Sequence, residues 1–338
     1  MSIAMKEPSA RAFSVWRSLA ALGPFFGLIL VLAVFTAING PAFLSLPNLQ
    51  TMVADASIVA IAALGMTLVI IGGGIDLSTG SLVALSSIMC AKALAWGGFA
   101  DSPALSTWGW TLAFLAGIGT GMFCGAINGS AIVGLRVVPF IATLGMLSVA
   151  RGGAKWQSHN QPINVTYAFG DWVQPYVKPA WIMLAPSVWL AIVLAVIMGL
   201  VLNRTVFGRS IVALGSSEAT ARLCGLRIGW LKITLYTIAG AFAGLAGVVQ
   251  TARLTRGDPS VAVGMELNVI AAVVIGGGSL SGGEGSILGT MAGALIMSAL
   301  ATGATQAGWE NYVQEILVGL IIVFAVALDQ LRARKMQC

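Results

Sequence analysis

The chain has 338 residues, of which 58% are hydrophobic and only 9% charged, and its formal net charge is +6. Soluble domains carry about 25% charged residues, so this composition, with a mean hydropathy of +0.92, excludes a protein bathed in water on all sides. It calls for an all-α polytopic membrane protein, because a helix crosses a bilayer core of about 30 Å with about 20 apolar residues.

Cuts at charges and at Pro, Gly and Asn clusters predict ten spans. They lie near residues 20–38, 52–71, 81–97, 109–133, 137–150, 181–202, 231–250, 265–278, 286–305 and 312–329. Residues 1–18 read as a cytoplasmic N-terminal tail, 19–330 as the transmembrane domain and 331–338 as a cytoplasmic C-terminal tail. The apolar stretch behind the N-terminal tail is too long for a signal core and shows no obvious cleavage site. The fifth span opens at Pro139, and a first helical turn tolerates proline.

Lysines and arginines of short loops stay cytoplasmic. With an even number of spans, Lys6, Arg11, Arg17, Arg136, Arg204, Arg209, Arg222, Arg227, Lys232, Arg332, Arg334 and Lys335 share the side of both termini. Arg151, Lys155, Lys178, Arg253 and Arg256 fall opposite, and Lys92 lies inside a span. Both termini are therefore expected inside, and the net charge needs no nucleic acid to explain it.

Two polar stretches remain. Residues 152–180 form an external loop rich in Trp, Tyr and Pro, either an interfacial anchor or a docking surface. Residues 203–232 form a cytoplasmic loop with five basic side chains and the string "SSEATARL". Ser216 or Ser217 can cap a short helix there, with Glu218 at its positive end. The single His159 and the isolated Cys90, Cys124, Cys224 and Cys338 suggest no metal site and no disulfide framework.

Two glycine runs interrupt apolar segments at matching places, "IAALGMTLVIIGGG" before Ile75 and "NVIAAVVIGGG" before Ser279. They suggest an internal two-fold pseudo-repeat. Such paired interruptions point to a translocation site between repeats, because non-helical chain at membrane depth survives only inside protein or beside water. The other reading is plain turns near the inner face, with glycine supplying positive φ. If helices cross there, side-chain bulk at Gly73 and Gly277 should matter, Gly277 the more. Asp55, Asp76, Lys92 and Glu266 lie in or beside apolar runs, where ionisable groups are functional candidates. Asp76 can also serve as a cap before the next helix, and Lys92 can snorkel from a helix end.

No Gly-x-x-x-x-Gly-Lys-[Ser/Thr] loop occurs, so this chain does not cradle a nucleotide by that route. Four stretches, "GGGIDLSTGS" (72–81), "VPFIATLGMLSVARGG" (138–153), "ALGSSEATARLCGL" (213–226) and "GDPSVAVGMELNVIAAVVIGGGSLSGGEGS" (257–286), resemble the ribose/xylose-type ABC transporter permeases. The resemblance runs from about residue 50 to 329. It implies a ten-helix inner-membrane permease of a bacterial monosaccharide importer, working as a homo- or heterodimer. A separate cytoplasmic ABC ATPase would use ATP and Mg, and a periplasmic or extracellular binding protein would deliver the sugar. The chain itself would hold no cofactor and act as no enzyme.

By the same resemblance Ser217, Glu218, Ala219, Arg222 and Gly225 form the ATPase-coupling helix. Asp76, Ser78, Ser81, Phe140, Thr143, Glu266, Gly73 and Gly277 are translocation or gate candidates. Thr220 departs from the Glu-Ala-Ala…Gly pattern of other importers, and Ser217, Thr79 and Glu284 also differ from common family residues. These departures blur the substrate subgroup. An ion-coupled secondary carrier and an ABC permease for a nucleoside, an amino acid or a signalling sugar stay open as alternatives.

Overall fold

The computed structural model describes residues 10–96, 103–173 and 184–337. The chain is mostly helical there, as its apolar composition requires. In order come α1 (Ala10–Asn39), α2 (Leu46–Ile71), α3 (Thr79–Ala95), α4 (Pro103–Gly134), α5 (Pro139–Gln157) and a single turn, α6 (Tyr167–Gly170). They are followed by α7 (Pro186–Arg204), α8 (Val206–Ser216), α9 (Glu218–Leu223), α10 (Ile228–Leu254), α11 (Met265–Ile275), α12 (Ile287–Gln306) and α13 (Asn311–Gln337). Among the described residues, α2, α7, α10, α12 and residues 108–134 of α4 are long and apolar enough to cross a membrane by themselves.

The packing explains the burial pattern. Helix α2 is buried along nearly its whole length, between α10, α12, α11 and α7. Helices α4 and α10 share the most extensive contact, along a stripe of glycines at 117, 121, 125 and 129. Small residues at this spacing let membrane helices approach closely. Helix α1 lies on α12, where Phe35 fills the space beside Gly303 and Asn39 Nδ2 donates to the Gly303 carbonyl at 2.9 Å.

Several sequence expectations change here. The fifth span runs on to Gln157, so residues 152–157 are helix rather than external loop. The Gly152–Gly153 pair does not end it, because Ala150 and Ala154 on either side are buried against the core. The eighth span, expected over 265–278, is a helix of only 11 residues. At 1.5 Å per residue that is about 16 Å, roughly half the hydrocarbon thickness. The chain is also not purely helical: β1 (Ile163–Asn164) pairs antiparallel with β2 (Arg256–Gly257), Ile163 opposite Gly257 and Asn164 opposite Arg256. Residues 174–180 of the expected external loop and 181–183 of the sixth span lie outside the described residues.

The two glycine runs are helix C-terminal caps of one kind. At the end of α2, Gly73 N–H donates to Ile70 O and Gly74 N–H to Val69 O, both at 2.9 Å. At the end of α11, Gly277 N–H donates to Val274 O and Gly278 N–H to Val273 O, also at 2.9 Å. The middle glycine is left-handed in each, with φ of 78° at Gly73 and 90° at Gly277. This pairing of bonds is the Schellman motif.

Crowding falls on the flanking glycines, not on the middle ones. A Cβ on Gly276 would strike the backbone of Gly289 and Thr290, whereas one on Gly277 would meet nothing within 4 Å. The bulk sensitivity expected at Gly277 is therefore conformational, since the left-handed region costs an L-residue roughly 1–2 kcal/mol. Gly277→Asn should leave the melting temperature of the purified protein almost unchanged, asparagine being the other common residue at such caps. Gly277→Val should lower it by several degrees. Equal melting temperatures for the two variants would sink this explanation.

Candidate functional site

The residues of the inner loop fold into two short helices. Thr205 starts α8, its Oγ1 accepting the Gly208 N–H at 3.1 Å. Ser217 then turns extended, and its Oγ accepts the Thr220 N–H at 3.2 Å to start α9. Ser216 instead donates its hydroxyl to Val212 O within α8, so Ser217 is the cap. Helix α9 ends as the glycine runs do: Gly225, at φ 84°, donates to Arg222 O and Leu226 N–H donates to Ala221 O.

Glu218 fastens this helix to the bundle. Its carboxylate accepts from Lys232 Nζ at 2.7 Å and from Arg222 Nη2 at 3.1 Å. Lys232 stands in the second turn of α10, so the shorter contact ties α9 to a spanning helix. The Lys232 hydrogen bond is the main reason that the Glu218 carboxyl sits below its ordinary value of 4.5. A depressed carboxyl contributes fully above its unfolded value and loses that contribution as pH falls through its folded one. The anchor is thus complete at neutral pH and loosens only below 4.5. Buried Ala221 faces inward, while Ala219, Arg222 and Leu223 are exposed.

Between α9, α10 and the glycine end of α2 lies a cavity of ≈ 190 Å³, reached by Gly73, Pro139, Glu218, Lys232, Tyr236 and Ser281. The loop after α11 closes on the same end, with Gly283 N–H donating to Ile71 O at 2.8 Å. Gly215 of α8 packs so tightly on Ile71 O that no Cβ would fit. Both glycine runs and the short helices therefore converge on one end of the bundle.

Asp76 sits beside this end, almost fully buried. Its Oδ1 accepts the Ser78 N–H at 2.9 Å and the Ser78 hydroxyl at 2.5 Å. Asn128 Nδ2 of α4 donates to Ser78 Oγ at 3.0 Å, and Thr79 Oγ1 donates to Asp76 O at 3.1 Å. Thr143 of α5 is buried, and its hydroxyl lies 3.4 Å from Ile75 O and 3.0 Å from Pro139 O.

The remaining candidates are scattered. Ser81 is buried in the first turn of α3, with no hydrogen-bond partner for its hydroxyl among the described residues. Phe140 is half exposed and does not line this cavity. Glu266 stands in the first turn of α11, its carboxylate against Gly80. Gly277 lies behind the Gly276–Gly289 crossing.

Spacing along the chain did not point to several partners. Lys232 is 14 residues from Glu218, and Asn128 is 50 from Ser78. Asp55 of α2 and Arg253 of α10 form an ion pair at 2.8 Å, 198 residues apart. Lys92 reaches the end of α5, its ammonium donating to Gln157 Oε1 at 2.8 Å and to the Gln157 carbonyl at 3.2 Å.

A family model described as branched-chain amino acid transport system / permease component matches residues 48–326. That segment runs from the third residue of α2 to the sixteenth of the 27 residues of α13. The chain belongs to this permease family. The permease is 36% identical over 309 residues to the ribose import permease protein RbsC of Escherichia coli strain K12, covering 89% of this chain and 91% of that one. It is also 36% identical over 313 residues to the ribose import permease protein RbsC of Bacillus subtilis strain 168, covering 91% and 92%. With the fructose import permease protein FrcC of Rhizobium meliloti it shares 33% over 322 residues, covering 91% and 84%. No solved structure matches it. The permease is a multi-pass membrane protein and a transport subunit.

Proposed function

We propose that this permease carries a monosaccharide across the bacterial inner membrane as the membrane subunit of an ABC importer. The similarity to ribose and fructose permeases supports the substrate class. The observation that carries the mechanism is α9: a capped helix, ion-paired to α10, that leaves Ala219 and Leu223 exposed one turn apart. That face suits a cytoplasmic ATPase. The ATPase hydrolyses Mg-ATP, this chain binds no cofactor, and a binding protein outside the membrane delivers the sugar to a pair of permease subunits.

In this reading the two glycine-capped ends, α8 and α9 lie at the cytoplasmic face together with both termini, and ten helices make up the membrane domain. The end of α2 and the end of α11 form equivalent points of a two-fold pseudo-repeat. Movement of α9 reaches the cavity through Glu218 and Lys232, which line it alongside Gly73. Asp76, Ser78 and Thr143 hold the loop beside it. Ser81, Phe140 and Glu266 stay as pathway candidates.

Charge reversal separates coupling from assembly. Glu218→Lys should lower uptake and sugar-stimulated ATP hydrolysis strongly, since it places one ammonium against another. Arg222→Glu should do so more mildly, because its exposed i,i+4 pair is worth only about 0.3–0.5 kcal/mol. Both variants should insert normally. Unchanged coupling in proteoliposomes for both would remove α9 from the mechanism.

The test of the function uses vesicles holding this permease, its ATPase and its binding protein, offered D-ribose, D-fructose, D-galactose and L-leucine. Vanadate-sensitive, uncoupler-resistant uptake of a sugar is expected. Uptake abolished by an uncoupler and untouched by vanadate would mean an ion-coupled carrier. Uptake of leucine alone would move the permease to the amino-acid branch.

A further inference from the structure

A second cavity lies at the opposite end of the bundle, and its chemistry differs from that of the first. It measures ≈ 400 Å³ and is reached by Asp55 and Ile58 of α2, Gln250, Arg253 and Leu254 of α10, and Met265 at the start of α11. That volume falls in the range of about 300–1,000 Å³ typical of small-molecule sites. Gly72 of α2 packs on Leu235 of α10 at the glycine end. Asp55 is 17 residues back from that level and Arg253 is 18 residues on, a rise of about 25–27 Å on each helix. The ion pair therefore stands at the end of both helices that lies away from the glycine caps.

The form of the pair is informative. Arg253 touches Asp55 only through Nε, at 2.8 Å, rather than through two nitrogens of its fork. Its terminal nitrogens and Asp55 Oδ2 have no protein partner among the described residues. Arg151 makes the contrast, because its two terminal nitrogens are taken up by the carbonyls of Pro259, Val261 and Ala262. Arg151 clamps backbone. Arg253 presents N–H donors into a cavity, beside a carboxylate acceptor and the amide of Gln250, which offers both.

Vicinal hydroxyls each donate and accept, so a cluster of guanidinium, carboxylate and carboxamide matches a polyol. Ile58, Leu254 and Met265 supply the apolar wall for its C–H faces. We propose that Asp55, Arg253 and Gln250 form an outer binding site for a neutral polyhydroxylated solute, the first contact that the permease itself makes with its cargo. This site rests on the sugar-import reading and adds to it the groups that take the sugar from the outside.

The experiment uses the assembled importer in liposomes, with Leu254→Cys, an exposed position on the cavity wall, probed from outside by a membrane-impermeant maleimide. D-Ribose, D-fructose and D-galactose are each tested for uptake and for protection. The cysteine should react, and the transported sugar should slow its reaction at least threefold while a sugar that is not transported leaves it unchanged. Asp55→Asn and Arg253→Lys, each in the Leu254→Cys background, should lose that protection and lower uptake, with insertion unaltered. The double variant Asp55→Arg/Arg253→Asp decides against a mere staple between α2 and α10: a staple regains uptake when the charges are exchanged, whereas a binding site does not. Sugar uptake without protection at Leu254→Cys, or restored uptake in the exchanged pair, would overturn the site and leave the transport reading standing. Uptake of none of the three sugars by the wild type would overturn the transport reading, and the site with it.

Discussion

Gly121→Val is expected to abolish assembly of the permease, and Gly121→Ala to damage it measurably. Gly121 of α4 faces α10 where the two backbones all but touch. A Cβ there would collide with the Gly240 carbonyl and lie 2.8 Å from Gly244 Cα. The crossing is reciprocal, because a Cβ on Gly240 would strike Gly121 O and lie 3.0 Å from Gly125 Cα. No rotamer relieves a clash of Cβ with backbone, so the helices must separate. Overpacking of this kind costs typically about 1–3 kcal/mol per site even when the structure adjusts, and in lipid the lost contact has no hydrophobic drive to restore it. Gly119, two residues away, has open space at its Cβ. Gly119→Val should therefore give wild-type yield and uptake and serves as the control. The measurement is the monodisperse yield from detergent together with the melting temperature. Wild-type values for Gly121→Val would mean that α4 and α10 do not meet in the way described.

That stripe also shows what sequence alone can and cannot supply. The spacing of four among glycines 117, 121, 125 and 129 can be read from the text, but which helix it faces cannot. Long spans such as α2 and α12 are legible because lipid tolerates little besides uncharged helix. Helix α11 is legible only in part: its start near 265 agrees with the sequence reading, but residues 265–275 are as apolar as a true span, so hydropathy does not reveal that the helix stops short at the glycine cap. The cap at Ser217 is legible because its geometry is local, spanning three residues. The Glu218–Lys232 and Asp55–Arg253 contacts are not, because each joins elements that only the packed bundle brings together. The glycine runs fall between. Their composition announced a break, and the two readings of that break, close approach and positive φ, are divided between neighbouring glycines.

Asp76→Leu should reduce uptake to background, while Asp76→Asn should retain most of it. The carboxylate is the acceptor on which the entry into α3 is built, taking the Ser78 N–H and hydroxyl while Asn128 of α4 donates to the same hydroxyl. Leucine leaves the Ser78 donors buried without that acceptor, and a buried unsatisfied group costs about 1–3 kcal/mol. Asparagine keeps a carbonyl oxygen in place, so the turn can still form. Asn128→Ala should fall between them, since it removes one donor and leaves the turn itself intact. The same series separates a positioning carboxylate from a proton carrier. A carrier must gain and lose a proton, so both Asp76 variants would fail equally and the pH profile of any residual uptake would shift. A positioning group instead gives a graded loss with the wild-type pH profile retained in Asp76→Asn. Equal failure of Asp76→Asn and Asp76→Leu, with both proteins correctly inserted, would reject the positioning role and favour coupling to protons.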